Sequence, residues 1–268
     1  MERLVLCAVL LASMAWLGCE LESNEDPMDG GVAGSGGTAG SGGTAGSGGT
    51  AGMPMSCATP EGDFTVIEDT EFADANWETL ESHAEGAIVS IAPTGQVASG
   101  GVGDSSYRSM THQLQNPAVG EHENCTAPDA CSYGIVVTHR YFADTYTPAS
   151  DGALAYIDYS ESRIITEPAF VGAAVGWKFG VWQDGTRYLH DRDIATAFRD
   201  TDWTLENLCG LTAEDFSPDG LNLVDGGEMV FGYARSNTNT SPASTQRNVH
   251  GIDDFRVVLV KQPDPVDL

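Results

Sequence analysis

The stretch W-K-F-G-V-W-Q-D-G-T-R-Y-L-H, Trp177 to His190, joins two β-rich runs through Asp184-Gly185. An Asp-Gly pair between such runs is the strongest short-range hairpin signal, because the two-residue turn needs positive φ and these residues adopt it at low cost. The turn fixes a register. It pairs Gln183 with Thr186, Trp182 with Arg187, Val181 with Tyr188 and Phe179 with His190. Successive strand side chains point to opposite faces, so Trp177, Phe179, Val181 and Tyr188 form a core face. Lys178, Trp182 and Arg187 fall on the other face, where an indole ring beside cationic side chains offers a platform for a sugar ring. The competing reading of Trp182 and Arg187 is an exposed cation–π pair with no ligand.

The same grammar extends outward from the hairpin. Phe64, Val66 and Glu68 alternate with Thr65, Ile67 and Asp69. Further β-rich runs are Ala87–Ala92, Tyr107–Gln113, Tyr133–Phe142, Ala153–Tyr159, Trp203–Cys209, Glu228–Arg235 and Ile252–Val260, separated by clusters of Gly, Pro, Asn and Asp. Many short strands so punctuated predict an all-β antiparallel sandwich. Long irregular connections such as Asn116–Ala130 suit a jelly roll better than a meander. Leu211–Phe216 is the best short helix, with Thr212 as N-cap.

The last run opens with two acids, in H-G-I-D-D-F-R-V-V-L-V, residues 250 to 260. Alternation puts Phe255, Val257 and Leu259 inward, with Asp253 at the inner end. Asp254 then shares the outer face with Arg256. A buried carboxylate is costly unless it is bonded, so Asp253 needs a calcium ion, backbone N–H groups or water.

The chain has 268 residues, with 12 Lys+Arg against 39 Asp+Glu and a net charge of −27. Only two of the cations are lysines, Lys178 and Lys261. Such a surface repels phosphate backbones, which argues against a nucleic-acid partner. The start, MERLVLCAVLLASMAWLGCE, has a basic Arg3 and then an apolar stretch from Leu4 to Trp16, too short to span a bilayer. Its end, Gly18-Cys19, resembles a bacterial lipoprotein signal. That resemblance implies removal of residues 1–18, lipidation of Cys19, and a membrane partner reached through that lipid. Glu20 in place of Asp implies, by the same resemblance, the outer membrane or cell surface. An ordinary secretory signal, giving a secreted or periplasmic protein, is the alternative.

Residues 19–56 carry no apolar periodicity and include AGSGGT three times between Ala33 and Thr50. A segment of Gly, Ser, Thr and Ala cannot bury enough surface to offset its ordering entropy. It reads as a disordered low-complexity tether whose r.m.s. span is about 30–35 Å. The sandwich domain is then 57–268. Outside the leader and Cys19, four cysteines remain, and an even number in an exported chain favours disulfides. Cys125 and Cys131 bracket a five-residue loop, so local closure pairs them. Cys57 and Cys209 pair by elimination. The spacing does not match a zinc site.

The stretches D-T-E-F-A-D-A-N-W (Asp69–Trp77), A-Y-I-D-Y-S-E-S-R-I (Ala155–Ile164), M-V-F-G-Y-A-R-S-N (Met229–Asn237) and G-I-D-D-F-R-V (Gly251–Val257) resemble secreted bacterial jelly-roll domains of the concanavalin A-like and galactose-binding-like kind. The resemblance spans residues 62 to 262. It implies carbohydrate binding and a structural calcium near the first and last strands. Glu68, Asp69 and Glu71 would then approach Asp253 and Asp254 and supply the oxygens calcium needs. Strand-end capping and pairing with Arg256 is the alternative.

Catalytic signals are absent. Glu68–Glu71 lacks the pattern of the lectin-like glucanases. Asp158 and Glu161 are expected at a strand end. There is no G-x-S-x-G, H-E-x-x-H or phosphate loop, and His83, His112, His122, His139, His190 and His250 lack ligand spacing. Three functions follow. The first is a lipid-anchored, noncatalytic module binding glycan or another cell-surface ligand. The second is a lectin-fold polysaccharide hydrolase or lyase, and the third a structural or adhesion protein of the envelope. The first is preferred because no catalytic constellation is visible and the tether suits outward presentation.

Overall fold

The computed structural model describes residues 57–83, 88–121, 125–127, 133–167, 175–191, 202–239 and 243–263. The leader, Cys19, the tether and Cys131 lie outside the described residues. Twelve strands are described: β1 (Phe64–Asp69), β2 (Trp77–His83), β3 (Ile88–Val97), β4 (Tyr107–Gln115), β5 (Tyr133–Tyr146), β6 (Leu154–Glu167), β7 (Val175–Gln183), β8 (Thr186–His190), β9 (Thr204–Leu211), β10 (Phe216–Ser217), β11 (Met229–Asn239) and β12 (Thr245–Lys261). They form two sheets. The first runs β3-β4-β12-β6-β9, with β1 also paired to β12; the second runs β10-β8-β7-β11-β5-β2. The pairings are antiparallel, and the chain changes sheet at β1–β2, β2–β3, β4–β5, β5–β6, β6–β7, β8–β9, β9–β10 and β11–β12. This is the expected antiparallel β-sandwich.

The hairpin forms in its expected register, Gln183↔Thr186, Trp182↔Arg187 and Val181↔Tyr188. Asp184 and Gly185 take φ of 52° and 79°, the two positive values such a turn requires. Trp177, Phe179, Val181 and Tyr188 are all buried. The Cys57–Cys209 disulfide is present, with Cα atoms 5.5 Å apart, and ties the start of the described domain to β9. Cys125 is also disulfide-bonded.

The interior divides along the strands. One half is aromatic: Trp77 lies 5.1 Å from Phe255, 5.2 Å from Tyr141 and 5.5 Å from Tyr233, and Tyr159 stacks on Phe179 at 4.3 Å. The other half is polar. Arg235 is fully buried and donates to Glu161 at 2.7 Å, while Tyr159 donates to the same carboxylate at 2.5 Å. The guanidinium lies 4.2 Å from the Trp177 ring and 4.4 Å from the Tyr233 ring. His112 bonds Asn237 at 2.6 Å, packs edge-on to His250 at 4.5 Å, and His139 stacks on Tyr233 at 4.6 Å.

Several local expectations change. Trp77–His83 is a strand that its W-E-T-L-E-S-H pattern hid, because its alternate residues include acids. The expected helix at Leu211–Phe216 shrinks to one 3-10 turn, Ala213–Asp215, between β9 and β10; Thr212 still caps it through a reciprocal bond with Asp215. Asp158 and Glu161 lie within β6 rather than at its end, since the charge of Glu161 is met by Arg235 across the sandwich.

The Asp253-Asp254 pair shows the largest departure. Asp253 pairs with Ser162 and Arg256 with Ser160, so two residues of β12 oppose one of β6. This is a β-bulge, with Asp254 at φ 51°. The extra residue breaks the alternation, so Phe255, Val257 and Leu259 face the core while Asp253 faces away from it. Asp253 is nonetheless fully buried, because the turn at Gly101–Ser105 covers it.

Candidate functional site

Edge strand β2, β5 and β11 enclose an open depression of about 640 Å³, lined by Trp77, Glu78, Thr79, Arg140, Phe142 and Val230. Register puts Glu78 opposite Arg140, and the two form an ion pair. Arg140 also lies 6.0 Å from the Trp182 ring. Phe142 is 47 % exposed, an aromatic left open to solvent at the rim. Thr79 is fixed from below, since its hydroxyl bonds His139 Nδ1 at 3.2 Å and accepts from Arg108 at 3.3 Å. The depression thus combines the apolar side chains of Trp77, Phe142 and Val230 with a held ion pair.

The sequence-derived ligand set lies beside it. Lys178, Trp182 and Arg187 share the outward face of the second sheet, as the hairpin register requires. Trp182, however, is only 6 % exposed, so it is not an open stacking surface. Its ring lies across Gly180, where a Cβ would approach it to 3.0 Å. A bare glycine lets the indole sink flat onto the sheet. Sequence reasoning missed Arg140, Glu78 and Phe142. Arg140 and Phe142 lay in the run read as Tyr133–Phe142, but Glu78 had no partner until β2 was known to border β5.

Four of the five carboxylates expected around calcium are engaged separately. Asp253 accepts from Val102 N–H at 2.7 Å, Ser105 Oγ at 2.5 Å and Asp254 N–H at 2.7 Å. Asp69 accepts from the N–H groups of Glu71 and Phe72 at 2.9 and 2.8 Å, and from Trp77 Nε1 at 2.7 Å. Glu68 faces Arg256 at 3.5 Å, as the strand-pairing alternative held. Asp254 accepts from Ser162 at 3.0 Å; burial raises its pKa, Ser162 lowers it and Asp253 raises it. Glu71 is exposed. The first and last strands do lie side by side, with Glu68 opposite Arg256. A cation bound to this set would have to displace several protein hydrogen bonds.

A smaller pocket of about 270 Å³ opens beside the disulfide, with Cys57, Asp158, Asn207 and Arg256 in its lining. Burial raises the pKa of Asp158, against the lowering effects of a 2.7 Å bond from Gly210 N–H and of nearby Arg256. Asp158 is the only carboxylate in that lining, and glycoside hydrolysis needs two. Cys57, Asp158 and Cys209 are also the one group of three possible ligands found together among the described residues, but the two sulfurs are spent in the disulfide.

No protein-family model and no curated protein matches the chain. Among solved structures, it is similar to a family 11 carbohydrate-binding module from Clostridium thermocellum in complex with a β-1,3-1,4-mixed-linked tetrasaccharide. The identity there is 11 %, covering 75 % of this chain and 98 % of that one, with a TM-score of 0.35. It is also similar to a xylan-binding domain from Paenibacillus barcinonensis, at 11 % identity, 77 % and 100 % coverage and a TM-score of 0.34. A carbohydrate-binding module with specific mannan recognition gives 9 %, 75 %, 100 % and 0.35. Overlap this weak leaves the sandwich assignment to the chain's own strand pairing.

Proposed function

We propose that this chain is a noncatalytic carbohydrate-binding module, held at the outer membrane or cell surface by a lipid on Cys19 and a flexible tether. The observation that carries the binding reading is the groove of about 640 Å³, with Phe142 exposed at its rim and the Glu78–Arg140 pair in its lining. A sugar ring offers an apolar C–H face to an aromatic and hydroxyls to charged acceptors and donors. Charge-assisted bonds to such groups are the stronger kind. The anchor reading rests on Gly18-Cys19 at the end of the apolar leader.

A glycan array probed with the full chain tests the first part. Binding that drops on Phe142→Ala supports it, and an array with no binding sinks it. A polysaccharide panel checked for released product separates binding from hydrolysis. Mass spectrometry of the mature N-terminus tests the anchor: a diacyl or triacyl adduct on Cys19 is expected, and an unmodified N-terminus at another residue overturns it.

A further inference from the structure

The outer face of the first sheet carries a row of polar side chains beneath a strap. Register aligns Glu68 of β1, Arg256 of β12, Ser160 of β6 and Asn207 of β9 across four neighbouring strands. They point away from the core, since Ile67, Val257 and Tyr159 of the same strands are buried in it and Leu208 packs against it. Asp158, two positions from Ser160 on β6, shares the outer face. Cys57 is tied by its disulfide to Cys209 of β9, whereas Phe64 opens β1. The residues between them therefore run over β12 and β6. The pocket of about 270 Å³ lies there, lined by Cys57–Pro60 on one side and by Phe64, Asp158, Ser160, Asn207 and Arg256 on the other.

The polar groups of this lining are underused. Asp158 is only 5 % exposed, and its one hydrogen bond among the described residues comes from Gly210 N–H to Oδ1, at 2.7 Å. Its second oxygen is left for another donor. The Asn207 amide makes no hydrogen bond among the described residues, although its Nδ2 is buried. A buried amide without a bond is costly, and a half-turn about its last torsion offers either end to the pocket without breaking a bond. Arg256 meets Glu68 through Nε alone, at 3.5 Å, which leaves its terminal nitrogens as donors. Phe64 is 43 % exposed at the same place. Water can satisfy the polar atoms one at a time, but it leaves that ring uncovered.

The charges select the ligand. An anion would meet Asp158, and a cation would meet Arg256. A hydroxyl both donates and accepts, and a sugar ring carries several hydroxyls beside an apolar C–H face. We propose that this pocket is a second sugar site, which takes a single neutral pyranose ring. One ring hydroxyl donates to Asp158, a neighbouring hydroxyl accepts from Asn207 and Arg256, and Phe64 packs on the C–H face. The volume falls below the roughly 300 Å³ at which ordinary ligand clefts begin, so it suits one ring and not an extended chain. The groove lies on the second sheet, and the pocket does not depend on it.

Saturation-transfer NMR on the full chain tests the site, with glucose, mannose, galactose and xylose as probes and then the β-1,4-linked trisaccharide of the best of them. Transfer to at least one of the four is expected. Asp158→Asn should weaken binding about tenfold and Asn207→Ala about fivefold, as loss of a charged and of a neutral hydrogen bond would. Phe64→Ala should weaken it as well, while Phe142→Ala in the groove should not. The Asn207 amide and the exposed Phe64 ring hold no structural bond, so these two variants should keep the parent's melting temperature, measured alongside. Transfer to the trisaccharide confined to one terminal ring marks a chain end as the ligand, and transfer to the monosaccharide alone marks a free sugar. No transfer to any probe overturns the second site. So does transfer that Phe142→Ala abolishes and the three pocket variants leave unchanged, which puts the sugar in the groove. A silent glycan array beside Asn207-dependent transfer overturns the groove and supports the pocket.

Discussion

Between the two sheets, the half around Trp77 and Phe255 is filled by aromatic rings, whereas the half around Arg235 and His250 is filled by polar groups. The first half gains by removing apolar area from water, a non-directional term that tolerates rearrangement. The second gains only while its partners are in place. Arg235 is held by Glu161 and lies between the Trp177 and Tyr233 rings. His112 and His250 must stay neutral beside it. Burial pushes His112 down to about 4, with the Asn237 bond raising it and Arg235 lowering it further. His139 lies well below its ordinary value, by burial first and then by Arg108, His112 and Arg235, and His250 does so by burial first and then by His112, Arg235 and His139. The lesson is that a polar interior of this kind makes the fold conditional on pH and on single side chains, which the aromatic half does not.

The largest expected effect is acid sensitivity. Each of the three rings has a folded pKa below its ordinary 6.5, so the fold keeps the neutral form. That stabilisation is fully present above 6.5 and is lost as pH falls toward the folded values. The slope is about 1.4 kcal/mol per pH unit for each ring. Urea unfolding at pH 7.5, 6 and 5 checks this, and a flat midpoint across that range would contradict it.

Next comes the buried ion pair. Arg235→Met strands Glu161 without its charge partner and is expected to cost about 3–5 kcal/mol. Adding Glu161→Leu should restore most of the loss. If the single variant unfolds at the parent's midpoint, the polar half is not held as described. On the aromatic side, Asp69→Ala removes three hydrogen bonds, including the one that holds Trp77, and should cost about 2–3 kcal/mol at roughly 1 kcal/mol per bond. Guanidinium melts followed by tryptophan fluorescence report both the loss and the release of Trp77. The smallest effect belongs to the exposed Glu68–Arg256 pair on the sheet surface. Glu68→Gln should change stability by less than about 1 kcal/mol, and a larger loss by differential scanning calorimetry would mean that surface pairs matter more than this division allows.

Much of the fold was legible from local pattern. Asp184-Gly185 fixed a hairpin to the residue, and Phe64–Asp69 and Phe255–Val260 showed their alternation openly. Cys57–Cys209 followed from counting. Glu161 and Arg235 were harder, because a charged residue in a strand reads as a surface residue or a strand end. Here the two charges cancel each other across the sandwich, 74 positions apart in sequence. The groove was not legible for the same reason. Glu78 and Arg140 are neighbours only because β2 borders β5, and nothing in either segment announces that pairing.

The Asp253-Asp254 pair marks the boundary most clearly. By itself the sequence determined that β12 would be a buried strand and that one of these two acids would need a partner, since alternation and desolvation cost depend only on local order. Tertiary structure decided which face, which partner and at what cost. The bulge opposite β6 turned Asp253 away from the core, and the turn at Gly101–Ser105, about 150 residues earlier in a chain where hydrogen bonds are local in space and not in sequence, supplied the donors. The same holds for Trp182. Its face follows from a two-residue turn, but its burial depends on a glycine beneath it and an arginine from another strand beside it, contacts that exist only once the sheet is assembled.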